Sequence, residues 1–239
     1  MTDRILGVLG GMGPLASAHF MLRLTLLTPA GRDQDHVPAV LWSDPRVPSR
    51  TAGKHSGDDP LPWLLRGIDG LKAAGCGAIA IPCNTVHDWY PEMAAHAAIP
   101  ILHIVDATAT ELRRQHVPAG KIGLMATQAT LNLRLYQSRL ERLGWDCIVP
   151  SPTEMERLVS PAIADVKINK VAAAYGPLAA VARTLGARGA RAVVLGCTEI
   201  PLGIQAGPFG TLGVALVNSV DALALAAIAW ARESWARES

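Results

Sequence analysis

One segment of this sequence occurs twice, and the repeat restricts the possible folds more than any other feature. The nine residues Gly75–Cys83 align without a gap on Gly189–Cys197, so each glycine lies eight residues before its cysteine. Gly7 and Gly123 lie in two similar apolar segments further upstream, 76 and 74 residues before the cysteines. Chance similarity of two βα units is the alternative, but the matched spacing favours a duplication that produced two similar lobes.

Short apolar runs alternate with helical patterns along all 239 residues. Strands are predicted at Ile5–Leu9, Val37–Trp42, Ala78–Ile81, Ile99–Ile104, Ile122–Met125, Cys147–Val149, Ala192–Leu195 and Val214–Val217. Helices are predicted at Leu15–Leu27, Leu61–Ala74, Ala107–Gln115, Leu131–Leu143, Ile168–Leu185 and Val220–Trp235. This alternation predicts an α/β fold with parallel sheets. We expect two pseudo-symmetric parallel-sheet lobes, at 1–100 with 208–239 and at 101–207, and a small-molecule site in the cleft between them.

Composition excludes several classes of protein. Half of the residues are hydrophobic, 18% are charged, and the net charge of +2 comes from scattered basic residues. We therefore expect no nucleic-acid partner and no membrane-surface partner.

The start of the chain does not have the pattern of a signal peptide, and polar residues interrupt the apolar stretch Val214–Ala231. These two features predict a cytoplasmic protein. Its four cysteines form no C-x-x-C pair, so neither a disulfide framework nor a metal site is expected.

Cys83 and Cys197 are the candidate catalytic residues. Each follows an apolar strand, and ligands of open α/β sheets bind beyond the carboxyl ends of strands. A thiolate there can be stabilised by a nearby helix N-terminus. Two thiols in one cleft suit inversion at a carbon acid, because one removes the α-proton while the other delivers a proton to the opposite face. For Cys76 and Cys147, the expected role is that of a small buried apolar residue.

Two other features of the sequence have competing interpretations. The turn Gly10–Ala16 resembles G-x-G-x-x-A, with Asp33 and Asp35 as candidate ribose-binding acids, but a tight strand–helix turn that can hold a carboxylate is favoured. His87, four residues after Cys83, would suit a Cys–His hydrolase, although a lone histidine is more often structural.

Cations in two parts of the chain are candidates for holding a substrate carboxylate. Arg46, Arg50 and Thr51 lie in a Pro/Ser-rich loop, where arginines are usually solvated. An arginine at the mouth of the cleft would grip a carboxylate with paired hydrogen bonds. Lys167 could supply a second cation from the other lobe.

Three motifs together resemble the aspartate/glutamate racemase superfamily, and most closely its aspartate racemase branch. They are Gly7–Ala16, Pro82–Thr85 and Leu195–Leu202, and the similarity extends over nearly the whole chain. The resemblance implies two α/β lobes, an isomerase without pyridoxal phosphate or metal, and a homodimer. It implies catalytic roles for Cys83 and Cys197. It also implies substrate-binding roles for Met12, Arg50, Asn84, Thr85, Thr127, Lys167 and Thr198.

The sequence departs from the family pattern at three positions. Ser49 replaces a common acid before the arginine, Ala164 replaces an aromatic residue before the lysine, and Asn218 stands in a final strand that lacks the usual histidine. These departures affect the expected side-chain specificity and leave the reaction type unchanged. The resemblance implies racemisation of aspartate, or of glutamate, with a two-base mechanism that needs no cofactor. The alternatives are a two-cysteine isomerase of the maleate isomerase or hydantoin racemase type, and a nucleotide-binding protein that uses the glycine turn. Retention of both cysteines argues against a decarboxylase.

Overall fold

The computed structural model describes residues 4–50 and 58–233, which divide into two compact units. The first unit contains Met1–Ala107 and Val220–Ser239, and the second contains Thr108–Ser219. Thr51 and the end of the last predicted helix, up to Trp235, lie outside the described residues.

The strands and helices alternate along the chain, as predicted. The strands are β1 (Ile5–Gly10), β2 (Ala39–Ser43), β3 (Cys76–Ala80), β4 (Ile101–Leu102), β5 (Gly120–Met125), β6 (Trp145–Ile148), β7 (Ala192–Leu195) and β8 (Ala215–Asn218). The helices are α1 (Pro14–Leu27), α2 (Leu61–Ala73), α3 (Tyr90–Ala97), α4 (Ile104–Arg114), α5 (Gln128–Asn132), α6 (Gln137–Leu140), α7 (Pro152–Glu154), α8 (Ser160–Lys167), α9 (Val171–Ala187), α10 (Ile200–Gln205) and α11 (Ser219–Arg232). Short 3₁₀ segments occur at Asp33–Asp35, Thr85–Trp89, Glu141–Leu143 and Phe209–Thr211, and a π-helical turn occurs at Met155–Val159.

Each unit contains a four-stranded parallel sheet, and the two sheets have the same topology. The strand order is β2-β1-β3-β4 in the first unit and β6-β5-β7-β8 in the second. Gly7 pairs with Val40 on one side and Ile79 on the other, while Gly123 pairs with Ile148 and Val193. The predicted α/β fold with two parallel-sheet lobes is confirmed.

The repeated glycines occupy equivalent places in the two units. A Cβ atom on Gly7 would lie 3.2 Å from Cδ1 of Leu71 on α2, and one on Gly123 would lie 3.1 Å from Cβ of Leu185 on α9. The strand glycine therefore lets a helix pack closely on the sheet in each unit. Gly75 and Gly189 follow these helices with φ of +82° and +93°, a conformation that glycine adopts at little cost.

Hydrogen bonding between strands sets the unit boundaries later than the sequence predicted. β4 pairs with β3, so residues just beyond position 100 belong to the first unit. β8 pairs with β7, so the segment from 208 to Ser219 belongs to the second unit rather than the first. A strand belongs to the sheet whose hydrogen bonds it completes, and this pairing cannot be read from a composition change.

Two predicted helices are interrupted at residues with positive φ. The helix predicted at Leu131–Leu143 is split into α5 and α6, because Arg134 has φ of +50° between them. The helix predicted to begin at Ile168 begins instead at Val171, after Asn169 with φ of +64°. Asparagine tolerates this left-handed conformation better than most residues. The helix before it, α8, carries Lys167 at its end and was not predicted.

Candidate active site

The topology of each sheet defines one place where a ligand can bind. In the first unit, the chain leaves β1 towards β2 on one side and leaves β3 towards β4 on the other. In open parallel sheets, ligands bind at such a switch point, beyond the carboxyl ends of the two strands. Met12 follows β1 and Cys83 follows β3, and both belong to one buried cluster. The predicted site residues of this unit therefore gather at its switch point.

The second unit repeats this arrangement between β5 and β7. Thr127 follows β5, and its side chain caps α5 by accepting a hydrogen bond from the backbone N–H of Thr130 (3.2 Å). Cys197 follows β7, and Gly196 before it donates its N–H to the carbonyl of Met125 at the end of β5 (2.7 Å). The candidate residues of the second unit thus occupy the positions that correspond to those in the first.

His87 holds the backbone around Cys83. Its Nδ1 donates to the carbonyl oxygen of Cys83 (2.9 Å), and its Nε2 accepts from the backbone N–H of Ile104 at the start of α4 (3.2 Å). These two bonds require the proton on Nδ1. Both ring nitrogens are therefore engaged with backbone groups, which does not favour a Cys–His hydrolase and fits the structural role.

Aromatic packing fixes the ring of His87. Its ring centroid lies 4.7 Å from that of His103, which lies 4.6 Å from that of Tyr90. His103 in turn accepts the backbone N–H of Val105 through Nδ1 (3.2 Å), and so caps α4. The Cys83 loop is thereby tied to α3 and α4 through buried side chains.

Polar residues directly after the two cysteines are buried. Asn84, Thr85, Thr198 and Glu199 are each 5% exposed or less. Burying polar side chains among apolar ones costs free energy unless they are hydrogen-bonded, so such concentrations are typical of sites with a function. Asn84, Thr85 and Thr198 lie beyond the carboxyl ends of β3 and β7, and their roles in substrate binding stay predictions.

The glycine turn after β1 is closed by its own hydrogen bonds. Gly11 donates its N–H to the hydroxyl of Ser17 (2.9 Å), which donates to the carbonyl of Gly13 (2.8 Å). A Cβ atom on Gly11 would clash with the backbone of Asp44, so the glycine is needed for packing.

The candidate ribose-binding acids are also misplaced for a dinucleotide. Asp33 and Asp35 precede β2, away from the carboxyl ends of the strands where such ligands bind. Together with the closed turn, this position does not favour the nucleotide-binding interpretation.

The two arginines after β2 have different environments. Arg46 forms a bidentate pair with Asp44 (2.8 Å for both contacts) and lowers the pKa of that carboxyl to about 2, chiefly by hydrogen bonding. Arg50 instead donates to backbone carbonyls, namely those of Met12 (3.1 Å), Pro48 (3.1 Å) and Val47 (3.3 Å). Among residues 4–50 and 58–233, no acid neutralises Arg50, and its Nε is buried without a partner. Arg50 is therefore the loop cation suited to a substrate anion.

A buried carboxylate contacts the thiol of Cys197, and sequence analysis assigned it no role. Oε2 of Glu199 lies 3.1 Å from Sγ of Cys197, and the hydroxyl of Thr198 donates to the same oxygen (3.2 Å). Burial raises the pKa of Cys197 well above its ordinary value, and the charge and hydrogen bond of Glu199 raise it further. The backbone N–H of Glu199 and the charge of Lys167 lower it by less. Glu199 lies within Leu195–Leu202, one of the motifs that carry the family resemblance. That motif was the sequence signal that could have pointed to this residue.

Tyr136 is a second residue near Cys197 that the sequence did not single out. A Cβ atom on Gly196 would lie 3.2 Å from Cε2 of the tyrosine ring, so Gly196 makes room for it. The ring is fully buried, which raises the pKa of Tyr136, and its hydroxyl lies 3.5 Å from that of Thr108. Tyr136 therefore forms part of the packed floor beneath the Cys197 loop.

The other two cysteines lie away from the switch points. Cys76 begins β3, and burial raises its pKa. Cys147 lies in β6, where burial raises its pKa to about 12. The part of the chain described here contains no group of three or more His, Cys, Asp or Glu residues placed to hold a metal ion. No helix among the described residues is long and apolar enough to cross a membrane.

Two parallel α/β units of like topology, each with a cysteine and buried polar residues at its switch point, define a two-unit α/β protein with a candidate ligand site in each unit. The chain belongs to the Asp/Glu/Hydantoin racemase family, which matches residues 9–227. The predicted family resemblance is confirmed.

Individual relatives agree with this family. The chain is 30% identical over 148 residues to the broad specificity amino-acid racemase RacX of Bacillus subtilis, and the match covers 60% of this chain but only 63% of that protein. The aspartate racemase of Picrophilus torridus is 30% identical with a TM-score of 0.83, over 95% of this chain and 94% of that one. A glutamate racemase from Francisella tularensis, solved with D-glutamate, shares the fold at 17% identity with a TM-score of 0.70, over 98% of this chain and 83% of that one.

Proposed function

We propose that this protein is a cofactor-independent racemase that interconverts L- and D-aspartate, with glutamate as the next candidate substrate. The observation that carries the proposal is the equivalent placement of Cys83 and Cys197, each beyond the third strand of a like sheet. Two cysteines that take the same position in duplicated units are suited to opposite halves of one symmetric reaction. Proton removal and proton delivery at a stereocentre are such halves.

The proposed chemistry moves one proton on and one proton off the same carbon. A thiolate on one cysteine removes the α-proton and becomes a thiol, while the thiol of the other cysteine delivers its proton to the opposite face and becomes a thiolate. Both sulfur atoms must reach the α-carbon of one bound substrate. A free cysteine has a pKa of ~8.5 and is mostly protonated at neutral pH. The reaction needs one thiolate and one thiol, so the site must keep one cysteine ionised while the other stays protonated.

Cations and buried polar groups would hold the substrate. Arg50, which no described acid neutralises, would bind one carboxylate with paired hydrogen bonds. Lys167, whose charge reaches Cys197, would bind the other and stabilise the charge that develops on the α-carboxylate. The remaining contacts are proposed for Met12, Asn84, Thr85, Thr127 and Thr198.

Aspartate is proposed because of the relatives. The structural relative at 30% identity is an aspartate racemase, and it matches over 94% of its own length. The Bacillus subtilis relative is described as having broad specificity, so other amino acids belong in the same test. The homodimer implied by the family resemblance and the cytoplasmic location stay predictions.

Exchange of the α-proton with solvent deuterium tests this proposal directly. L- and D-aspartate, and then L- and D-glutamate, are incubated separately in D₂O, with ¹H NMR for loss of the α-proton signal and chiral chromatography for inversion. We expect deuterium to enter together with inversion. Cys83→Ser and Cys197→Ser should each reduce the rate by about 10²–10⁴-fold, because each removes one acid/base group.

Cys147→Ser is the matched control, because this cysteine lies in β6 away from the switch point. It should racemise at the rate of the unmodified protein. Absence of exchange with every acidic amino acid, or an unchanged rate in either of the other two variants, would contradict the proposal. Exchange with a different α-carbonyl acid would replace the substrate and retain the two-base chemistry.

A further inference from the structure

We propose that Glu199 is a positioning residue that keeps Cys197 protonated between turnovers, so that the resting enzyme carries its thiolate on Cys83. This inference rests on the proposed two-thiol function and deepens it. It assigns different resting states to two cysteines that the repeat makes look equivalent.

The hydrogen bond between Cys197 and Glu199 fixes where the proton lies. The two side chains meet at 3.1 Å between Sγ and Oε2, and an ionised carboxylate can only accept hydrogen bonds. The hydroxyl of Thr198 donates to the same oxygen at 3.2 Å. Both hydrogen bonds end on the same oxygen of Glu199, and in the first of them Cys197 supplies the proton as a thiol.

Burial makes this preference strong. Both side chains are only 4% exposed, so water screens the repulsion between a Cys197 thiolate and the Glu199 carboxylate poorly. The groups that favour the thiolate are the backbone N–H of Glu199 and the charge of Lys167, while the neutral phenol of Tyr136 packs beneath the loop. The pKa of Cys197 is raised in spite of them, so the thiol form prevails.

The second oxygen of Glu199 points to a role beyond folding. Oε1 is buried, and no group of residues 4–50 and 58–233 donates a hydrogen bond to it. A buried acceptor without a partner in the protein is destabilising and calls for an explanation, which a catalytic role supplies. Here the cost is explained if a charged carboxylate must stay beside the sulfur atom.

The first half of a reaction cycle then has a defined direction. Cys83 takes the α-proton of one enantiomer and Cys197 delivers its own proton, which leaves a Cys197 thiolate beside the Glu199 carboxylate. Cys197 recovers a proton from solvent while Cys83 releases its proton to solvent, or Cys197 takes the α-proton of the opposite enantiomer while Cys83 delivers its own proton in the reverse reaction. Protons balance in both routes, and the form with two adjacent negative charges is the less populated one.

Site-resolved alkylation as a function of pH tests this assignment without turnover. The full-length protein is treated with iodoacetamide between pH 6 and 11, and each cysteine-containing peptide is quantified by mass spectrometry. Cys83 should react at a lower pH than Cys197, whose midpoint should lie well above that of an ordinary cysteine thiol. Glu199→Gln should lower the Cys197 midpoint by about one pH unit or more, so that alkylation below the midpoint is about tenfold faster.

Two further variants separate the carboxylate's effect on the thiol from a general loss of structure. Glu111→Gln removes a buried carboxylate of the same unit that pairs with Arg114, and it should leave the Cys197 midpoint unchanged. Glu199→Asp keeps the charge and should keep the midpoint raised. If the reagent does not reach Cys197, thiolate absorbance at 240 nm, compared between Cys83→Ser and the Cys83→Ser/Cys197→Ser double variant, measures the same midpoint.

The outcomes distinguish this inference from the proposed function. An unchanged Cys197 midpoint in Glu199→Gln, or reaction of Cys197 before Cys83 in the unmodified protein, overturns the inference even when deuterium exchange proceeds. Conversely, a lowered midpoint in a protein that exchanges no α-proton supports the role of Glu199 and overturns the racemase proposal.

Discussion

The two switch-point loops bury their cysteines to a similar degree but surround them with different groups. The Cys83 loop is held by His87 through backbone bonds, whereas the Cys197 side chain itself bonds to Glu199. The proposed assignment of resting states follows from this difference at single positions. The two thiols need such asymmetry if one is to be an acid while the other is a base.

Arg50 and Arg46 provide a residue-scale test of substrate binding. Arg50→Ala should reduce kcat/KM for aspartate by about a hundredfold, because a bidentate carboxylate contact is lost. Arg46→Ala should change kcat/KM far less, since Arg46 is already paired with Asp44. Steady-state kinetics on both variants decides the matter, and equal losses would show that Arg50 has no special role.

The candidate site was predictable where the repeat marked it. Cys83 and Cys197 were indicated by the matched spacing and by their place after apolar strands, and Arg50 and Lys167 by their charge and by the family resemblance. The contact between Glu199 and Cys197 was not predictable, because it depends on the backbone turn after β7 that brings side chains two positions apart together. No periodicity encodes such a turn.

At the scale of elements, close approach between helix and strand defines each unit. Gly123→Ala would place a Cβ atom 2.9 Å from Cγ2 of Val193 and 3.1 Å from Cβ of Leu185, both rigidly packed. We expect a loss of about 1–3 kcal/mol in the free energy of unfolding, as is usual for overpacking a core. Urea titration followed by circular dichroism measures this change.

Gly77→Ala is the matched control in β3. Its Cβ atom would meet Trp230 at 3.4 Å, an ordinary contact, so the substitution should be neutral or stabilising by about 0.5–1 kcal/mol. Equal destabilisation by the two substitutions would contradict the packing argument. Equal tolerance of the two substitutions would also contradict the packing argument.

Element types were predicted better than element ends. All eight predicted strands overlap observed ones, because apolar β-rich runs are required wherever a parallel sheet is covered on both faces. The breaks at Arg134 and Asn169 were missed, since single residues with positive φ leave the hydrophobic pattern intact. The pairing of β8 with β7 was also missed, because it depends on contacts distant in sequence.

At the scale of the whole molecule, buried and half-buried groups that stay neutral make stability depend on alkaline pH. Cys76, Cys147, Cys197 and Tyr136 all have pKa values raised chiefly by burial. In the unfolded chain a thiol ionises near pH ~8.5, whereas the folded chain keeps it protonated. The folded state therefore binds more protons at high pH. Stability is complete below about pH 8.5 and falls as the pH rises towards the folded values.

Cys147 provides a measurable part of this slope, because its folded pKa is about 12. Between about pH 9 and 11 it should contribute a fall on the order of 1 kcal/mol in the free energy of unfolding per pH unit. Cys147→Ser replaces the thiol with a group that does not titrate in this range, so the fall should become shallower by that amount. Urea titrations at pH 7, 9, 10 and 11 measure both slopes. Identical slopes in the two proteins would show that the Cys147 thiol already ionises in the folded state at its ordinary pH.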